Sequence, residues 1–259
     1  MQLAHRVALN GVQLDSIDSR IIIKSVEEGA GKESISAVSR ASGSGQRITG
    51  RRRDTLDIVV KFSLNIDEAD MQERSEALEA VNRWASAGGL LTLNYKPGRQ
   101  IRVILAQAPG AGDPWEWTNV YSLTFRAYGV PYWEDAAGAS VRQQGVSSGS
   151  LTLGVNGSAE TVMDVSFKNT SGSTVNTFSV TAGGKTIALT GLGLANNATL
   201  TIDHDENGLI RMKIGSTSVL DKRTAESADD LTVKPGAVSV SFTAGGAGTI
   251  QVTCKGRYL

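Results

Sequence analysis

From Leu151 onward the chain shows no helical period, only short alternating stretches separated by clusters of glycine, serine, threonine and asparagine. Met163, Val165 and Phe167 alternate with polar neighbours, as do Asn176, Phe178 and Val180 and then Val238, Val240 and Phe242. A period of two buries one face of a strand and wets the other, so this half of the chain has to bury its apolar residues as sheet against sheet. Turn clusters at 169–173, 182–185 and 244–248 space the strands evenly, the pattern of a β-sandwich.

The first half reads differently. Strands are expected around 6–9 and 21–26, broken by the turn dipeptide Asn10-Gly11, and again over 56–64, where Leu56, Ile58, Val60 and Phe62 share a face. A single helix is expected over about 67–87. Asp67 is placed to cap it, with Glu68 and Asp70 near the positive end of its dipole. Met71, Leu78, Val81 and Ala85 form an apolar stripe with Trp84 at its margin, and Glu68, Glu73, Glu76 and Glu79 point away. Glu79 and Arg83 make an i,i+4 pair, and Gly88-Gly89 supplies the stop. Strands resume at 90–95 and 101–106 around Lys96-Pro97-Gly98-Arg99, and Tyr121, Leu123 and Phe125 alternate as one more. The stretch SLTFRAYGVPYWED, residues 122–135, closes this half. The expected architecture is mainly β with two domains: an antiparallel sheet or sandwich carrying one helix over 1–138, a small polar linker over 139–150, and a β-sandwich over 151–259.

Charge narrows the function. The 26 basic and 26 acidic residues cancel, leaving no net field to gather nucleic acid or an anionic membrane. No run approaches the roughly 20 apolar residues of a spanning helix, and the start lacks the apolar core of a signal peptide. One cysteine excludes an internal disulfide framework; Cys254 continues the apolar face of Ile250 and Val252 and reads as a buried, inert thiol in a reducing compartment.

Candidate chemistry is thin. DHDENG, residues 203–208, matches the first half of a calcium loop through Asp203, Asp205 and Asn207, but the twelfth position is Ile214; the same residues read as a hairpin turn between strand-like flanks. GAGKES, residues 29–34, departs from a phosphate loop at Val26 and Glu33 and reads as a plain loop. His5 and His204, the only histidines, sit in no nucleophile or metal motif and read as surface or capping residues. Arg47, Arg51, Arg52 and Arg53 crowd one segment. They read as a solvated hairpin, a nucleic-acid patch without the usual aromatics, or a subunit contact with an acidic surface such as that of Glu68, Glu73, Glu76 and Glu79 on a neighbour.

In their order along the chain, HRVALNGVQL (5–14), LEAVNRWASAGGLLTLNYKPGRQIRVIL (78–105), SLTFRAYGVPYWED (122–135), and LTIDHDENGLIRMKIG, SADDLTVKPGAVSVSF and the closing GRYL resemble the distal tail proteins of long, non-contractile-tailed bacteriophages. The resemblance implies a structural virion protein rather than an enzyme, with no catalytic residue and no cofactor. It implies a first domain that forms a homo-hexameric ring, single or double, joining the tail-tube protein to the tail tip, and a second, galectin-like sandwich that carries the receptor-binding apparatus for host attachment. It further implies synthesis in the host cytoplasm and residence in the virion tail. Three rivals stay open: a carbohydrate-binding module, although Trp84, Trp115, Trp117 and Trp133 all precede the second domain; a tail-tip hydrolase of cell-wall polymer, whose carboxylate pair would leave no local trace; and a tail-tube subunit that grows filaments.

Overall fold

Two strands of 19 residues each, one in either half of the chain, organise the fold. The computed structural model describes residues 5–29, 31–39, 44–66, 70–109 and 120–259. The chain divides into two units, Met1–Trp133 and Glu134–Leu259.

The first unit runs β1 (Val7–Leu9), β2 (Val12–Gln13), β3 (Ile21–Glu28), β4 (Lys32–Ser39), β5 (Gln46–Leu64), α1 (Met71–Ser86), β6 (Gly89–Leu93), β7 (Arg99–Gln107) and β8 (Val120–Ala127). Its sheet has the order β2-β1-β6-β7-β8-β5-β3, and the pairings are antiparallel. The alternation read from Leu56 to Phe62 is real: Leu56, Ile58, Val60, Phe62 and Leu64 are all buried. Across the ladder lie Tyr121, Leu123, Phe125 and Ala127 of β8, with Phe62 stacked on Tyr121 at 5.6 Å. Asp57 and Arg126 face each other in the same ladder and form a two-bond ion pair, which penalises any slip of register.

The helix buries Ala77, Leu78, Val81 and Ala85. A fully buried Leu or Val contributes about 1.5–3 kcal/mol, so this stripe, rather than helix propensity, holds α1 in place. Trp84 lies edge-on to Phe125 at 5.8 Å and donates its indole N–H to Val12 O at 3.1 Å. The helix starts later than expected. Its cap is Asp70, whose carboxylate accepts the Glu73 N–H at 3.0 Å; Asp67 and Glu68 lie outside the described residues. Met71, placed in the apolar stripe by its spacing, is the first helical residue and is exposed.

At the other end Gly88 and Gly89 stop the helix with φ of 59° and 124°. Asn10, in the β1–β2 turn, donates to Gly88 O at 2.8 Å and accepts from Leu90 N–H at 2.9 Å. A Cβ on Gly89 would stand 2.1 Å from Asn10 Oδ1. Gly89→Ala therefore combines a disfavoured backbone with a clash against a pinned side chain, and should cost about 2–3 kcal/mol in urea denaturation. Glu28 ends β3 by collecting Lys96 Nζ at 2.6 Å, the Tyr95 hydroxyl at 3.0 Å and the Trp133 indole N–H at 2.7 Å.

In the second unit, β9 (Trp133–Asp135) stands at the boundary and is followed by β10 (Ala139–Val155), β11 (Thr161–Asn169), β12 (Val175–Ala182), β13 (Lys185–Leu194), β14 (Thr199–His204), β15 (Ile210–Ile214), β16 (Thr217–Ser218), β17 (Thr232–Val233), β18 (Gly236–Cys254) and β19 (Arg257–Tyr258). The expected linker over 139–150 is strand. β10 pairs with β18 along nearly its whole length, and the small polar residues that read as a linker are where this two-stranded ribbon bends, with register shifts between Gln143 and Ser148. On its far side β18 pairs with β12 through Val240–Ala244 and with β11 through Gly248–Cys254. The ribbon thus passes from one sheet of a sandwich, β13-β12-β18-β10, into the other, β10-β18-β11-β14-β15-β16. One apolar core lies between them, from Leu151 and Met163 through Phe167 and Phe178 to Ile250 and Cys254.

Asn169 closes one end of this core with no exposure. Its amide donates to Ser173 O and Leu194 O, and its oxygen accepts from Ser171 N–H and Ser171 Oγ, all within 2.7–2.9 Å. The C-terminal strand is held by Asp135, which accepts from Gly256 N–H and the Tyr258 hydroxyl, and by the Arg257–Glu134 ion pair at 2.9 Å.

Candidate assembly surface

β5 is longer than the sheet that contains it. Its second half, Leu56 onward, has β8 on one side and β3 on the other, whereas among the described residues Gln46–Thr55 pairs only with β4. The expected loop at 29–34 therefore gives way to strand at Lys32, no helix follows it, and the arginine segment is one arm of a two-stranded ribbon. Residues 33–39 and 44–50 are exposed throughout. A free two-stranded ribbon is marginal in water, and this one carries Ile35, Val38 and Ile48 at 57%, 58% and 65% exposure. An apolar ribbon edge of this kind is a template for pairing and packing with another chain.

The ladder places Val38 opposite Arg47, Ile35 opposite Arg51, Ser34 opposite Arg52 and Glu33 opposite Arg53. Arg47 is exposed. The Arg52 side chain is 80% exposed and pairs with Asp54 at 2.7 Å. Arg53 is at the foot of the ribbon, its guanidinium 5.2 Å above the Tyr132 ring and over the backbone of Gly31. The four arginines thus share one ribbon but divide into tip and foot.

On α1, Glu73, Glu76 and Glu79 are exposed. Glu73 accepts from Arg20 Nη1 at 2.6 Å, and Arg20 is also held by Asp18; Glu76 accepts from Gln72 at 3.0 Å. Among the described side chains no hydrogen bond or ion pair joins Arg47, Arg52 or Arg53 to these carboxylates within the chain, while Glu68 lies outside the described residues.

The calcium-like segment forms a β14–β15 hairpin with register His204 to Ile210. Asp205 accepts from the N–H groups of Leu209 and Asn207, which lower its pKa, led by the Leu209 bond. Asp203 is engaged by both Nε and Nη2 of Arg211, at 2.9 and 3.0 Å. Asp203 and Asp205 are thus each engaged within the hairpin, and among the described residues no group of three His, Cys, Asp or Glu side chains is placed to hold a metal ion. Cys254 is buried and burial raises its pKa to about 11. Among the described residues no helix is long and apolar enough to cross a membrane.

His204 is not a surface residue. Its side chain is 6% exposed, with Nδ1 2.8 Å from Asp164 Oδ1 and Nε2 2.9 Å from Asp230 Oδ1. Burial opposes charge on the ring, but the two carboxylates outweigh it and raise the pKa from 6.5 to about 9. Its partners are 40 and 26 residues away in sequence, so no local motif marks it. His5 packs edge-on against Tyr95 at 6.1 Å.

No protein-family model and no curated protein matches the chain. Among solved structures, the chain is similar to the Dit (gp 19.1) protein of phage SPP1, described as a paradigm of the hub adsorption apparatus in phages infecting Gram-positive bacteria. The identity is 15%, the TM-score 0.66, and the match covers 98% of this chain and 99% of that one. Chains of the phage p2 baseplate in its activated conformation, with strontium and with calcium, match at 8% and 9% identity and a TM-score of 0.45, covering 97% and 98% of this chain and the same shares of those chains; this likeness is too loose to argue from. The two-unit β fold is thus shared, end to end, with a phage hub protein.

Proposed function

We propose that the chain is a distal tail protein, a non-catalytic hub subunit of a long-tailed bacteriophage, whose first unit closes a homo-hexameric ring between tail tube and tail tip and whose sandwich carries the adhesion apparatus. The observation that carries the reading is the structural match to a hub adsorption protein, which covers 98% of this chain and 99% of that one. The exposed β4–β5 ribbon supports it, because a ring subunit needs an element that reaches beyond its own sheet. In this reading the ribbon's apolar residues, with Arg47, Arg51, Arg52 and Arg53, meet the neighbouring subunit near its acidic helix face of Glu68, Glu73, Glu76 and Glu79. The assembled ring belongs to the virion tail and is built in the host cytoplasm.

Native mass spectrometry of the full chain tests this. The wild type is expected as a closed hexamer or a double hexamer whose population falls with added salt, since exposed ion pairs are screened beyond about 8 Å at physiological ionic strength. Arg47→Glu near the ribbon tip with Arg52→Glu near its foot replaces attraction by repulsion along the ribbon and should weaken closure by at least about a hundredfold, two pairs at more than about 1.4 kcal/mol each. A ring unchanged by the double reversal would remove the arginines from the interface. Growth into filaments would favour a tail-tube subunit instead.

A further inference from the structure

Residues 219–231 join β16, in one sheet of the sandwich, to β17, and on the way they run along the outer edge of β13, in the other sheet. β13 is a terminal strand whose inner edge pairs with β12. Its outer edge meets this connection through backbone and serine: Thr224 N–H donates to Ala188 O at 3.0 Å, Ala228 N–H donates to Thr186 O at 2.8 Å, and Ser227 Oγ both accepts from Ala188 N–H and donates to Ala188 O. The segment is anchored at its ends by buried Val219 and Leu231. Between those anchors Leu220 is exposed and the Arg223–Asp229 ion pair is local, so few apolar contacts hold the middle down.

We propose that residues 219–231 are a strap covering the open edge of β13, latched by the His204 imidazolium through Asp230 and released when that latch is broken. His204 is the point where the strap is tied to the opposite sheet: its ring bridges Asp230 on the strap and Asp164 on β11. The charged groups around it are Asp164 from β11, Asp230 from the strap, Asp205 from its own hairpin and Arg211 from β15, which is engaged by Asp203 and donates to His204 O. From β18, Cys254 senses Asp164. Acidic groups outnumber basic ones here, so a neutral ring leaves Asp164 and Asp230 without the cation between them. The folded pKa of about 9 lies above the ordinary 6.5, so the latch contributes fully below about pH 6.5 and is lost as pH rises through about 9.

Lys222 and Arg223 lie in the strap, so trypsin reads its opening. The full chain is digested with an unstructured peptide spanning the same Asp221, Lys222, Arg223 and Thr224 sequence in the same tube, and the cut after Lys222 or Arg223 is followed by mass spectrometry. His204→Gln at pH 7.5 should raise the strap cut relative to the peptide by about tenfold or more, with other sites unchanged, because cleavage follows the open population. Wild type should show the same rise between pH 7.5 and 9.5, and His204→Gln should be flat over that range. Equal rates in variant and wild type, or a wild-type rate indifferent to pH, would overturn the proposal. If His204→Gln is cut everywhere because it unfolds, Asp230→Asn and the wild-type pH series decide: a selective strap cut supports the latch, and a general one overturns it.

Discussion

Trp133→Ala should lower the stability of the first unit by about 4 kcal/mol, the middle of the range for truncating a buried aromatic. Trp133 is 1% exposed and, among the described residues, heads the fully buried side chains by volume. Its loss opens a cavity and also removes a donor from Glu28, which keeps Lys96 and Tyr95 but loses the 2.7 Å indole bond. Lys96 Nζ stands 4.6 Å from the centre of the same ring, so its cation loses that face as well. Trp133→Phe separates these contributions, because it keeps much of the volume and removes only the donor; about 1–2 kcal/mol is expected. Urea denaturation of both variants measures the difference. Equal losses would show that the hydrogen bond, and not the packing, carries the site.

Asn169→Ala should cost the second unit about 3 kcal/mol, although it removes only a small side chain. An amide has two donor hydrogens and two acceptor lone pairs, and here all four are used inside the core end. Alanine leaves Leu194 O, Ser173 O and Ser171 N–H to find water or strain the loops toward it. Asn169→Asp is the sharper case. A carboxylate would face two carbonyl oxygens, so this variant should be worse than alanine at pH 7 and recover as pH falls and the acid is protonated. Thermal melts of the two variants at pH 4.5 and 7 give the comparison; an Asp variant insensitive to pH would mean that the side chain has left its pocket.

What could be read from the sequence was what repeats at short range. The stripe Leu78, Val81 and Ala85 and the alternation from Leu56 to Phe62 follow from local periods of 3.6 and 2, and both stand in the structure. The helix cap was misread because Asp67 and Asp70 are equivalent by residue type, and only the bond to Glu73 N–H distinguishes Asp70. The 139–150 strand was invisible because its serines, glycines and glutamines have little strand preference of their own; β18, the other end of the unit, supplies the backbone partner. The ribbon that carries the arginines was half legible: the charge was seen, but not that Ile35, Val38 and Ile48 share its exposure. His204 left no trace, since neither Asp164 nor Asp230 is near it in sequence. The likeness to tail proteins reached further than any of these local signals because it rests on the order of many short stretches, each degenerate alone.

The pairing of β10 with β18 also constrains the order of events as the second unit forms. β10 is the first long strand of that unit to leave the ribosome, and nearly all of its backbone partners lie in β18, beyond the whole of the intervening chain. Until β18 emerges, β10 has no ladder, and β11 and β12 each lack the neighbour that joins them into one sandwich. Closure of so long a loop comes late and slowly, so a nascent chain should expose Leu151, Leu153 and Val155 for most of its synthesis. That interval, rather than any property of the finished fold, is when the chain most needs a chaperone.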